Sequence, residues 1–174
     1  MDAASPIPET VLDTPRLELR RAALSDAAFF LALLNDPSWL ENIGDRGVRS
    51  PVDAQRYITD NIQAAYRSLG YGMYVVELKG SGRPTGVCGL VKRDYLPGPD
   101  LGFALLPEFT GFGYASEAAR AVMVHAQRTL GIGQLYAIVK RGNHRSVKLL
   151  GGLGFRHQRP CPTFQASEVD LFTT

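Results

Sequence analysis

Between residues 101 and 130 the spacing of apolar residues changes from alternation to a period of about 3.6, and the change falls on Gly111-Phe112-Gly113. Before it, residues 101–106 read as a strand. After it, Ala115, Ala118, Ala119, Val122, Met123, Ala126 and Leu130 share one helix face. A strand that turns through two glycines into a long amphipathic helix, with a further strand after it, reads as a strand–helix–strand unit whose apolar faces need a sheet and a helix layer packed together. The same turn offers consecutive backbone N–H groups to an anion, although two glycines also serve a tight connection with no ligand. It is not a dinucleotide fingerprint, because Ser116 stands at the third glycine position, and the Lys-Ser/Thr of a phosphate-binding P-loop is missing.

The rest of the chain supplies the neighbours of this unit. A polar leader, residues 1–13, carries Ser5, Pro6 and Pro8, and one domain, residues 14–174, begins with the alternating Leu17-Glu18-Leu19-Arg20. Ser25 is placed to cap a helix over 26–35, stopped by Asp36-Pro37. Residues 38–50, with Trp39, Glu41, Asp45 and Gly47, have no period and read as an exposed loop. Ser50-Pro51 then starts a helix running to Leu69. Strands are expected at 73–78, 86–92 and 101–106 with short turns between them, hence an antiparallel meander. A strand at 135–140, a helix over 143–153 and strands near 155–158 and 168–172 complete a β-αα-βββ-α-β-α-ββ order. Its two strand–helix–strand units call for a parallel pair.

Charge and composition exclude several classes of function. With 19 Lys+Arg against 17 Asp+Glu, a net +2, the chain lacks the basic excess that phosphate-backbone binding demands, so nucleic acid is not an expected partner. No apolar run approaches the roughly 20 residues of a membrane span, and the start lacks a signal-peptide pattern, so a cytoplasmic location and no membrane contact are expected. At 45% hydrophobic and 21% charged residues, 174 residues can build one core. Cys88 and Cys161 read as reduced, unpaired thiols, and His125, His144 and His157 have no ligand spacing, so no metal site is expected.

Two separated motifs carry a resemblance. The run from Leu105 to Ala118 (LLPEFTGFGYASEA) is followed, one strand later, by Asn143 to Leu150 (NHRSVKLL) and then Leu153-Gly154-Phe155. Together they resemble the GNAT superfamily of acetyl-CoA-dependent N-acetyltransferases, particularly its RimJ/RimL-type branch, from about residue 14 to the C-terminus. The superfamily's Q/R-x-x-G-x-G/A signature has Glu108 at its first position here and Thr110 where the branch often has an aromatic residue. The resemblance implies a mixed, mostly antiparallel α/β sheet of about six to seven strands flanked by about four helices, splayed between the fourth and fifth strands (101–106 and 135–140). It also implies acetyl-CoA as co-substrate, with no metal, and a primary-amine acceptor; a homodimer is compatible with it.

Residue by residue, the resemblance places the pantetheine arm against the backbone of Leu105 and Leu106 and the pyrophosphate over Gly111, Phe112, Gly113, Tyr114 and Ala115. Asn143 would contact the pantetheine arm, and it can equally cap its helix. Arg141, Arg145 and Lys148 are candidates for the outer phosphates, with solvated surface cations as the plain alternative. Acetyl transfer further needs a free amine lone pair, a stabilised oxyanion and a proton for the departing thiolate. Many relatives use a tyrosine seven residues after the asparagine for that proton, but Leu150 stands there, so Ser146 is the candidate acid. Its alternative is a hydroxyl bonded one helical turn back. The Leu105 N–H could polarise the thioester carbonyl. Asp100 is the candidate base, with a turn-ending aspartate after Pro99 as its plain alternative and Glu41 as second choice; Trp39, Glu41, Asp45 and Tyr71-Gly72 are candidates for the acceptor cleft, and a core Trp39 with both acids solvated is the equal alternative. A module of this fold that binds acyl-CoA without turnover is the rival reading.

Overall fold

The computed structural model describes residues 9–160 and 168–174. Its elements are β1 (Thr10–Asp13), β2 (Leu17–Arg20), α1 (Ala27–Leu34), α2 (Pro37–Asn42), α3 (Pro51–Tyr57), α4 (Ala64–Leu69), β3 (Met73–Leu78), β4 (Arg83–Val91), β5 (Asp100–Leu105), α5 (Tyr114–Arg128), β6 (Tyr136–Lys140), α6 (His144–Gly152), β7 (Arg156–Pro160) and β8 (Val169–Thr173). The strands form one sheet in the order β1-β2-β3-β4-β5-β6-β8-β7. Every neighbouring pair is antiparallel except β5 and β6, the parallel pair that the strand–helix–strand order calls for. The splay expected after the fourth strand lies between β5 and β6, because an additional strand precedes it.

That additional strand is β1, which falls in the segment read as leader. It pairs with β2, Asp13 opposite Glu18, and four residues of mixed polarity at a sheet edge leave little periodicity to detect. A second difference is α2, inside the stretch read as an exposed loop. Asp36-Pro37 both stops α1 and starts α2: the Asp36 carboxylate accepts the Ser38 N–H at 2.9 Å, and Pro37 occupies the first turn. Trp39 is consequently core, 7% exposed, with its indole N–H donated to the Gly44 carbonyl at 3.0 Å.

Ser50 caps α3 as its sequence suggests, accepting from the Asp53 N–H, and α3 continues into α4 through a π-helical turn at Ile58–Gln63. Ser25 does not cap α1. It sits within a 3₁₀ turn, Leu24–Asp26, while the buried Asp26 carboxylate accepts the Ala23 N–H at 2.8 Å and the Arg20 guanidinium at 2.7 and 2.8 Å. Arg20 also reaches Glu77 at 2.7 Å, so one guanidinium joins β2, β3 and the start of the helical layer.

Six successive residues of β4, Thr85–Leu90, are buried, as expected of a central strand covered on both faces. α5 packs against β4 and β5 through Ala118, Ala119, Val122 and Ala126, all 0% exposed. These small side chains bring the helix axis close to the sheet and so fix where its N-terminus meets the end of β5. Cys88 is a buried free thiol that burial pushes above its ordinary pKa; Cys161 lies outside the described residues.

Candidate active site

The site begins where two strands part. β5 pairs with β4 along its whole length, from Asp100 opposite Val91 to Leu105 opposite Gly86. It pairs with β6 at a single position, Asp100 opposite Tyr136, after which the two strands diverge. The Leu106 N–H donates to the Thr85 carbonyl at 2.9 Å, which sets the alternation. Even-numbered residues of β5 turn their backbone groups toward β4, and odd-numbered ones turn theirs toward the gap. Beyond the pairing at Asp100, the N–H and C=O groups of Phe103 and Leu105 therefore face the open V with no strand partner among the described residues. Leu105, a sequence candidate, thus faces the gap. Leu106 does not: its N–H is held by Thr85 and its carbonyl accepts from Phe109. Phe103 faces the gap as well, a residue that counting back by two from Leu105 would have found.

Directly beyond β5, a 3₁₀ turn at Pro107–Phe109 buries Phe109 and lifts the chain to Gly111. Gly111 (φ +90°) and Gly113 (φ +82°) both occupy the left-handed region, where a side chain costs about 1–2 kcal/mol. α5 starts at Tyr114, and its first internal bond at this end is from the Glu117 N–H to the Gly113 carbonyl, 3.0 Å. Among the described residues no side chain caps it. The N–H groups of Tyr114, Ala115 and Ser116 accordingly have no intrahelical acceptor, and they add the positive end of a 15-residue helix dipole. Phe112, 59% exposed, stacks on Tyr114 at 5.6 Å beside them.

The loop is braced from the other end of the chain. In the β1–β2 connection, the Arg16 Nε donates to Glu117 at 2.6 Å and its Nη1 to the Phe112 carbonyl at 2.9 Å. The Arg16 main-chain N–H and the Thr14 hydroxyl donate to the same carboxylate at 2.9 and 2.7 Å. Burial opposes ionisation of Glu117, yet the donors from Thr14 and Arg16 outweigh it and hold its carboxyl below the usual range. Nothing in the sequence announces this group, whose members lie about a hundred residues apart.

On the far side of the V, α6 starts at Asn143, whose side chain accepts the Ser146 N–H at 3.2 Å. The capping reading of Asn143 holds, and among the described residues its amide NH₂ has no hydrogen-bond partner. Ser146 is half-buried, and no hydrogen bond to a carbonyl one turn back engages its hydroxyl among the described residues. Lys148 and Arg145 are exposed, while Arg141 is paired with Asp170 at 3.1 Å.

The acid candidates separate. Asp100 lies at the apex of the V, 2% exposed, with the Arg93 Nε at 3.1 and 3.2 Å from its two oxygens. Burial pushes its carboxyl above the ordinary value, and Arg93 opposes this. The Glu41 carboxylate is on the surface; what Glu41 contributes is its main-chain carbonyl, which accepts from Lys140 Nζ at 2.7 Å. That contact ties the end of α2 to the end of β6. Asp45 is paired with Arg49 at 2.5 Å.

The model of the acetyltransferase (GNAT) domain family matches residues 16–156. The YkkB protein of Bacillus subtilis (strain 168), itself uncharacterized, is 26% identical over 154 residues, 87% of this chain and 88% of that protein. In structure the chain is similar to an acetyltransferase from Agrobacterium tumefaciens str. C58, with a TM-score of 0.82 and 24% identity over 100% of this chain and 98% of the other. It is also similar to RimL, a ribosomal L7/L12 alpha-N-protein acetyltransferase in complex with coenzyme A, with a TM-score of 0.79 and 21% identity over 95% and 97%.

Proposed function

Because the chain belongs to the GNAT family of N-acetyltransferases, we propose that it moves the acetyl group of acetyl-CoA, by direct transfer in a ternary complex, to the α-amine of a peptide, a protein N-terminus or a small metabolite. One observation carries the donor half: an uncapped helix N-terminus stands at the end of a strand whose open edge presents Phe103 and Leu105. A pyrophosphate on the N–H groups of Gly113, Tyr114 and Ala115 leaves the pantetheine arm to run down the V toward Asp100, its amides paired with Leu105 and with the Asn143 NH₂. Lys148 is available to an outer phosphate.

The amine nitrogen attacks the thioester carbonyl carbon, and the oxyanion that forms is stabilised by a backbone N–H of the open edge, Phe103 or Leu105. Collapse breaks the C–S bond. The electron pair leaves on sulfur, which takes the proton of the Ser146 hydroxyl; solvent restores that proton and accepts the one lost by the amine. The half-buried, locally unbonded Ser146 hydroxyl at the start of α6 supports this role. Asp100, engaged by Arg93, is at most a base acting through water.

This poverty of free bases favours an α-amine. Its pKa lies near 7.7–8.0 against about 10.4 for a lysine side chain, so a substantial fraction is neutral at physiological pH. RimL is described as an alpha-N-protein acetyltransferase, which agrees with that preference. In a screen by thiol release, peptides with free α-amines are expected to turn over at least about tenfold faster than polyamines or aminoglycosides, well inside the roughly 300-fold neutral-fraction advantage that the two pKa values give near pH 7. Activity confined to the latter two would refute the α-amine preference and leave the acetyltransferase standing. Binding of acetyl-CoA with no thiol release from any amine would favour the binding-only alternative.

A further inference from the structure

We propose that Arg16 is a positioning residue for the phosphate loop: by holding the Phe112 carbonyl, its guanidinium fixes the Phe112–Gly113 peptide so that the Gly113 N–H points to the side where the donor's pyrophosphate binds. The proposal rests on the donor reading above and adds a residue outside the two motifs.

The argument starts from the loop's own weakness. Gly111 and Gly113 flank Phe112, and glycine accepts either sign of φ with little penalty. The peptide between Phe112 and Gly113 is therefore easily flipped, and a flip would turn a carbonyl oxygen toward the anion in place of an N–H. In a trans peptide the C=O and the following N–H point in opposite directions, so a donor that grips the Phe112 oxygen also aims the Gly113 hydrogen. Arg16 is such a donor, with Nη1 at 2.9 Å.

Its own position is fixed in turn. Nε binds Glu117 at 2.6 Å, one helical turn into α5, and the same carboxylate is held by the Arg16 main chain and by Thr14. The guanidinium plane lies over the Tyr114 ring, 4.7 Å from Cζ to centroid. Nη2 sits 3.4 Å from where a Cβ on Gly113 would be. One planar fork thus touches Phe112, Tyr114 and Glu117 at once and lies beside Gly113, bonding the loop on one side and the first turn of the helix on the other. A lysine has one point of charge and cannot reproduce both directed bonds.

The test compares two ligands of the parent protein, Arg16→Lys and Arg16→Gln: coenzyme A, which has the pyrophosphate, and pantetheine, which occupies the V without it. If the competent loop becomes a minor state, apparent affinity falls by its fractional population. Arg16→Gln is expected to weaken coenzyme A about tenfold by calorimetry, and Arg16→Lys by several-fold, both leaving pantetheine, measured by competition, within about twofold. Equal weakening of both ligands would mean that Arg16 merely supports the fold, and Arg16→Lys binding coenzyme A like the parent would make it a plain charge; either result overturns the proposal. So does unchanged binding in Arg16→Gln. Should Arg16→Gln fail to fold, Arg16→Lys and Glu117→Gln, which frees the fork from its anchor, carry the same comparison. Failure of the parent to bind coenzyme A at all is a different result, removing the donor reading on which the proposal rests.

Discussion

Gly113→Val is expected to weaken acetyl-CoA binding by about 100-fold or more, equivalent to about 2.7 kcal/mol. Two effects coincide at this residue. Its φ of +82° is a conformation that a β-branched residue rarely adopts, so the variant must shift the backbone that presents the Gly113 and Tyr114 N–H groups. A Cβ there would also stand 3.4 Å from the Arg16 Nη2, and the two γ-methyls of valine extend further, against the brace or over the anion's approach. In the parent, ligand at 100 times its Kd should stabilise the fold by about 2.7 kcal/mol; in the variant, the same concentration should raise Tm little. Calorimetry on a folded Gly113→Val protein that returns the parent's affinity would remove the phosphate-loop assignment.

Ser146→Ala should act on the other half of the cycle. The cap of α6 uses the Ser146 main-chain N–H and not its hydroxyl, so removing Oγ leaves the helix start and Asn143 in place. Binding of acetyl-CoA should then change less than about twofold. Loss of a positioned acid lowers turnover by about 10²–10⁴-fold, and the lower end is expected here because a thiolate is already a fair leaving group. The diagnostic result is the split: kcat falls about a hundredfold while donor affinity holds. Kinetics equal to the parent's would return Ser146 to an ordinary helix-start serine, and an equal loss in binding and turnover would make it a ligand contact with no acid role.

The linear sequence by itself determined most of the element order, because the order follows from short-range periodicity. The change of repeat at Gly111-Phe112-Gly113, the small-residue face of α5, the Ser50-Pro51 start of α3 and the strand–helix–strand units that demand a parallel pair are all written within a few residues of where they act. The family resemblance of residues 105–118 and 143–155 belongs to the same category, since it depends on types and spacing along the chain. What the sequence missed was short or two-sided. β1 is four residues at an edge, too few to show a period. α2 hid behind Asp36-Pro37, a pair that ends one helix and begins the next.

Only the tertiary structure decided which groups stand together and which are already engaged. Leu106 faces β4 and Phe103 faces the gap because hydrogen-bond direction alternates along β5, and the phase of that alternation is set by β4, not by β5's own residues. Asp100 reads in sequence as a candidate base or as a turn-ending aspartate; burial and Arg93 make it one half of an ion pair. Trp39 reads in sequence equally as cleft or core, and it is core. Above all, Arg16 and Thr14 meet Glu117 across about a hundred residues, because β1, β2 and the start of α5 converge on one side of the Gly111–Gly113 loop. No local pattern encodes such a contact, since its energy exists only after the sheet has assembled and brought a distant cation within reach of a loop that two glycines would otherwise leave unset.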